Sequence, residues 1–146
     1  MTDPTYTIRA AVAADAETIK RMVRSAPLDP DAIDWHFFRV LEIIENSTPK
    51  IVSIGMVRPE GAIHELDSVV TRPDYRKRGY AAAVVADLLA HAPRPVYLLA
   101  EDALVPFYER FGFHLMTAET APDEMREQAE YVNRYWGPYH IMGLSE

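Results

Sequence analysis

Apolar and polar positions alternate along YTIRAA, residues 6–11, and that period of two predicts a first strand. The period then lengthens. Ile19, Met22 and Val23 fall on one face of DAETIKRMVRSA, which predicts a helix with Asp15 as its N-cap. PLDPD breaks the chain after it. Residues 33–44 fit two periods at once. Ile33, Phe37, Leu41 and Ile44 share a helical face, yet the turn cluster ENSTPK follows and the β-rich KIVSIGMVR lies beyond. Two runs around such a turn read as a hairpin, so a helical turn up to Asp34 and a strand over 36–44 are expected.

PEG makes another turn, and AIHELDSVVT reads as a strand. A helix is expected from Tyr80 to about His91, ending before Pro93, with RPVYLLA as a short buried strand after it. LVPFYERFG reads as a short helix closed by Gly112, and FHLM as a strand. APDEMREQAEYVNRYWG is helical by pattern, with Pro122 at its start and Gly137 at its end, and YHIMGL is a last strand. The order is β, α, several strands, α, β, α, β, helix, β. That is a mixed α/β fold, expected as one domain over residues 1–146.

Composition narrows the function classes. The absence of cysteine excludes disulfides and thiolate metal sites. The histidines His36, His64, His91, His114 and His140 show no metal-ligand spacing, so no metal is expected. A net charge of -7 speaks against nucleic acid as a partner. No apolar run approaches a membrane span, and MTDPTYTIRA lacks the basic and apolar regions of a secretory leader. A cytoplasmic protein without a membrane partner is expected. The cations are unevenly spread: five of the fifteen Lys and Arg residues are Arg72, Arg76, Lys77, Arg78 and Arg94. An acidic chain with one basic loop suggests a local anion site, and its acidic remainder favours a cationic substrate.

RKRGYA, residues 76–81, places three cations before a glycine at the mouth of an alanine-rich helix. Adjacent like charges repel, and an anion held at the helix start accounts for all of these features. By itself the hexapeptide reads equally as a solvated basic turn. About thirty residues further on stands FYERFGF, residues 107–113. No G-x-G-x-x-G follows a strand, and no Walker lysine motif exists. Together, RKRGYA after VVTRPDY and FYERFGF after the next strand resemble the GNAT family of N-acetyltransferases. That family's signature is Arg/Gln-x-x-Gly-x-Gly/Ala between a strand and a helix, and the strand order agrees from about Ile8 to Phe113. The resemblance implies a GNAT fold, with a mixed, mostly antiparallel central sheet splayed between strands four and five and flanked by helices. It implies acetyl-CoA as cosubstrate and a primary amine as acceptor, attacked directly in a ternary complex.

The same resemblance assigns residues. Arg76, Lys77, Arg78, Gly79, Tyr80, Ala81 and Ala82 would form the pyrophosphate loop, where a helix start offers unpaired N–H groups and glycine allows close approach. Val69, Val70 and Thr71 would give backbone bonds to the pantetheine arm, with an N–H of Val69 or Val70 meeting the oxyanion. Leu99 and Ala100 would line the other side of the split. Tyr108 matches the tyrosine that serves the departing thiolate in the family, with Phe107 expected in the core. Glu65, fourteen residues before Gly79, matches the catalytic glutamate of the histone acetyltransferase branch. Period-two geometry sets Glu65, Asp67 and Val69 on one face unless a bulge intervenes, so Asp67 joins Glu65 as a candidate base beside water. The aromatics Tyr131, Tyr135, Trp136 and Tyr139 shape an acceptor pocket or cap the core. A small-molecule amine is the first expectation. A protein N-terminus or lysine, and a CoA-binding module without turnover, remain as alternatives. Exposed sheet edges leave room for a homodimer.

Overall fold

The computed structural model describes residues 5–24 and 33–145; the expected break at PLDPD lies outside them. Contacts gather the chain into two compact units, one of Met1–Val57 with Ser68–His91, the other of Arg58–Asp67 with Ala92–Glu146.

In the first unit β1 (Tyr6–Ala10) pairs antiparallel with β2 (Phe38–Glu45), and β2 with β3 (Thr48–Glu60). The turn between β2 and β3 is narrower than ENSTPK. Only Asn46 and Ser47 form it, with φ of 52° and 64°. Two left-handed residues in a row match the twist of a tight hairpin, and asparagine tolerates that conformation well. Helix α1 (Ala16–Arg24) buries Ile19, Met22 and Val23, as its pattern predicts, against Phe38, Val40 and Ile54. Asp15 is not its N-cap. It ends a 3-10 turn at Ala13–Asp15, accepts the Val12 N–H at 2.8 Å and holds Arg9 at 2.7 Å. The turn before β2 also runs further than expected. Asp34 caps a 3-10 turn over Trp35–Phe37, accepting the His36 N–H, and the strand starts only at Phe38. Helix α2 (Tyr80–His91) lies close on β3 at Gly55, where a Cβ would stand 2.9 Å from Leu88 and 3.1 Å from Val84.

β4 (Ile63–Thr71) carries the chain out of the second unit, where it pairs in parallel with β5 (Val96–Glu101). That pairing holds for His64↔Val96 and Glu65↔Tyr97, and ends there. β5 pairs antiparallel with β7 (Tyr139–Leu144), and β7 with the two-residue β6 (His114–Leu115). The expected FHLM strand is thus only half as long, although the Met116 N–H still donates to the Ile141 carbonyl at 2.9 Å. Helix α3 spans Val105–Glu109, and Gly112 closes the turns after it at φ 99°. Helix α4 (Asp123–Tyr135) buries Met125 and Ala129 on Ile63 and Ile141. The seven strands follow the order β1-β2-β3-β4-β5-β7-β6. Among the described residues no helix is long and apolar enough to cross a membrane.

Candidate functional site

The basic loop belongs to the first unit. A 3-10 turn at Pro73–Tyr75 leads into it, and Arg76, Lys77, Arg78 and Gly79 are exposed in succession. Gly79 has φ 83° and Lys77 has φ 64°. A Cβ on Gly79 would meet nothing within 4 Å, so backbone conformation and not protein packing calls for glycine there. The first bond of the α2 ladder runs from the Ala83 N–H to the Gly79 carbonyl at 3.0 Å. The N–H groups of Tyr80, Ala81 and Ala82 therefore precede the ladder and face out of the helix start. Two of the arginines are braced by the loop itself: Arg76 Nε donates to the Thr71 carbonyl at 3.3 Å, and Arg78 to that of Asp74 at 3.2 Å. Arg72 instead binds the Ile51 carbonyl at 2.7 Å, which makes it a strut of the hairpin. A helix start rimmed by exposed cations has the chemistry that favours an anion.

The strand before this loop divides its backbone groups. The Arg72 N–H donates to the Val52 carbonyl on β3. By alternation Val70 faces β3 as well, while Val69 and Thr71 turn their N–H and carbonyl groups to the other edge. Ser68 breaks the alternation further up, with φ 54°. That is the interruption which frees Val69 from the face shared by Glu65 and Asp67.

The carboxylates and the tyrosine belong to the second unit. Glu65 sits at the last residue pair of β4 with β5, and its side chain is 3% exposed. Its Oε1 accepts from Gln128 Nε2 at 2.8 Å and from Arg58 Nη2 at 3.2 Å. Among the described residues nothing donates to Oε2. The same Arg58 nitrogen lies 3.7 Å from Asp67, and Arg58 Nη1 donates to Glu60 at 2.6 Å. Burial, and next the charge of Asp67, push the Glu65 carboxyl up to about 7. Tyr108 is 8% exposed and stands edge-on to Phe107 and Phe113. Burial, then Asp67, push its hydroxyl up to about 12, and no described residue takes a hydrogen bond from it. It is Tyr108, and not Phe107 as expected, that the short helix turns inward; Phe107 stays half-buried.

A match to the family described as "Acetyltransferase (GNAT) family" covers residues 10–113. The chain belongs to the GNAT acetyltransferase family. The resemblance carried by RKRGYA and FYERFGF is thereby borne out. This GNAT chain is 41% identical over 69 residues to the serotonin N-acetyltransferase of Macaca mulatta, a stretch that covers 44% of the chain and 34% of that relative. It thus spans about a third of the length of the curated relatives it matches. Its fold is similar to that of Mycobacterium tuberculosis Rv2747 in complex with CoA and NLQ, with a TM-score of 0.78 at 20% identity over 96% of this chain and 99% of that one. Arabidopsis thaliana Naa50, in complex with the bisubstrate analogue CoA-Ac-MVNAL, gives 0.69 at 15% identity over 97% and 99%. At such identities the likeness speaks for the fold.

Sequence reasoning missed three residues of the GNAT chain's second unit. Arg58, Glu60 and Gln128 surround Glu65, and the strand pattern gave no reason to single out the first two. Gln128 lies 63 positions from Glu65, a separation that no local spacing reveals. Of the aromatic tail, Tyr131, Tyr135 and Trp136 do not cap the core, each being more than half exposed, while Tyr139 is half-buried at the start of β7. Tyr131 instead helps to line a cavity of about 280 Å³ with Glu60, Glu124, Glu127, Gln128 and Val132. Among the described residues no group of His, Asp or Glu is arranged to hold a metal.

Proposed function

We propose that the chain is an N-acetyltransferase that moves the acetyl group of acetyl-CoA onto a primary amine of a small molecule. The observation that carries this reading is Glu65: a buried carboxylate, held through one oxygen, whose other oxygen no donor among the described residues occupies. A base of pKa about 7 suits the removal of an amine proton near neutral pH. The residues present fit the cosubstrate. Gly79 at φ 83°, the leading N–H groups of α2 and the exposed Arg76, Lys77 and Arg78 would hold its phosphates, and the outward backbone edge at Val69 and Thr71, where Arg76 Nε already shares the Thr71 carbonyl, its pantetheine arm. Acetyl-CoA supplies the acetyl group as a thioester, whose C–S bond breaks as the C–N bond to the amine forms. Glu65 takes the proton that the amine gives up. Tyr108 stays protonated at all physiological pH values and offers its uncommitted hydroxyl to the departing sulfur. Asp67, beside both, raises the proton affinity of each.

The cavity supports a small acceptor. Glu60, Glu124 and Glu127 attract an ammonium group and Tyr131 gives it an aromatic wall, in a volume suited to a small molecule. The relatives named serotonin N-acetyltransferase act, by that name, on serotonin, a primary amine on an alkyl arm of an aromatic ring system, and arylalkylamines head the panel to be tried. The test is release of CoA thiol from acetyl-CoA over arylalkylamines, aliphatic polyamines, an N-terminal peptide and a lysine peptide. Turnover confined to small amines supports the reading, and turnover confined to peptides replaces its acceptor. CoA binding without turnover on any amine overturns it in favour of a binding module.

A further inference from the structure

We infer that Gln128 is a positioning residue for the amine chemistry, clamping Oε1 of Glu65 so that Oε2 is the oxygen that receives the proton. The inference rests on the proposal that Glu65 is the base. Its geometric ground is that both donors that reach Glu65 among the described residues, the Gln128 amide at 2.8 Å and Arg58 at 3.2 Å, converge on one oxygen. A carboxylate gripped at Oε1 cannot rotate freely about its last bond, so Oε2 keeps a fixed direction. Arg58 is a shared partner: it also binds Glu60 at 2.6 Å and lies 3.7 Å from Asp67. Gln128 is the donor that Glu65 shares with no other carboxylate among the described residues.

The helix is built to hold that amide in place. One turn before Gln128, Glu124 accepts the Ala62 N–H at 2.9 Å, which pins α4 to the turn ahead of β4. Met125 and Ala129 bury the adjoining face. Gln128 also lines the cavity proposed for the acceptor, so the clamp and the amine share one side chain. A neutral amide suits the task. It favours the ionised carboxylate enough to orient it, but it does not add the full positive charge that would strip Glu65 of its affinity for a proton. The groups facing Glu65 are Asp67 on its own strand, Arg58 and Glu60 on β3, Tyr97 opposite in register on β5, and Gln128 on α4. In the transfer the amine N–H bond breaks, its proton bonds to Oε2, and the neutral acid then returns that proton to solvent.

Two variants of opposite sign test the clamp. Gln128→Met keeps the length of the side chain and removes the donor; Gln128→Lys keeps a donor and adds charge. The midpoint of the Glu65 carboxyl, followed by carbon-13 NMR with Glu65→Gln to assign the signal, should rise by about one unit in Gln128→Met and fall in Gln128→Lys. The acidic limb of the kcat/KM profile should move with it in both. A purely structural role would lower the melting temperature of both variants and leave the midpoint in place. Midpoints that do not move, or that move the same way in both variants, overturn the clamp. Midpoints that shift while the acidic limb stays put overturn the catalytic part, together with Glu65 as base. If the parent turns over no amine at all, the proposed activity falls, and the NMR midpoints still decide the clamp on their own.

Discussion

Glu65 has to be dry enough to want a proton and polar enough to be tolerated in its place. Those demands conflict, and the conflict can be measured. Its carboxyl is pushed up from 4.5 to about 7 by folding. Between those values the folded chain holds a proton that the unfolded chain has released, so stability falls as pH rises through that window. Glu65→Gln removes the dependence. From pH 5 to pH 8 the difference between variant and parent should move in the variant's favour by roughly 2–3 kcal/mol, read by urea unfolding at each pH. A difference that stays flat with pH would mean that Glu65 titrates normally. Tyr108→Phe makes the complementary case. The hydroxyl holds no described partner, so melting should change little, while turnover should drop by about 100-fold or more if that hydroxyl serves the sulfur. Steady-state assays beside a melting curve separate the two effects. At this scale the sequence was partly legible. Family spacing singled out Glu65 and Tyr108, but Asp15 looked like a cap because caps and third-position carboxylates share residue types. Arg9 and the Val12 N–H, which decide its role, become its neighbours only in the folded chain.

Among the elements, α2 and the loop before it depend on one backbone angle. Valine is a poor fit at φ 83°, so Gly79→Val should cost about 1–2 kcal/mol of stability. The exposed loop can relieve that strain by changing course, which would turn its N–H groups away from a bound anion. CoA affinity, measured by calorimetry, should therefore fall by on the order of tenfold or more. Unchanged affinity in a folded Gly79→Val would remove the loop from the cofactor site. Most elements were legible from their periods. The amphipathic face of α1, the Tyr80–His91 helix and the Gly137 end of α4 follow directly from the chain. Short 3-10 turns at Trp35–Phe37 and Asp102–Leu104 were not, since three residues carry too little pattern to set them apart from loop or strand. Nor was the break at Ser68, because a serine in a β-rich run gives no sign of its φ of 54°.

Taken whole, the molecule is acidic, with a net charge of -7, and it presents an exposed basic loop at a helix start. An anionic ligand that binds only the folded chain stabilises it by about 2.7 kcal/mol at a hundredfold excess over Kd, and so raises its melting temperature. Saturating CoA should do so here, and 0.5 M salt should diminish the gain by screening exposed charge. A melting curve indifferent to CoA would remove the cofactor site from the proposal. Family membership was legible because two motifs stand at the right distance on either side of a strand. The acceptor was not, because α4 reaches Glu65 and the turn ahead of β4 only through tertiary contacts. That helix also brings an optical consequence. Trp136 packs on Tyr131 with ring centroids 5.9 Å apart, and Tyr131 lines the cavity. The other tryptophan, Trp35, is stacked on His36 at 3.7 Å. With Trp35→Phe, the emitted light comes from an indole one ring away from where an amine would rest. Its colour and intensity should then shift as amines are titrated in, and the acceptor could be found by fluorescence before a single turnover is seen.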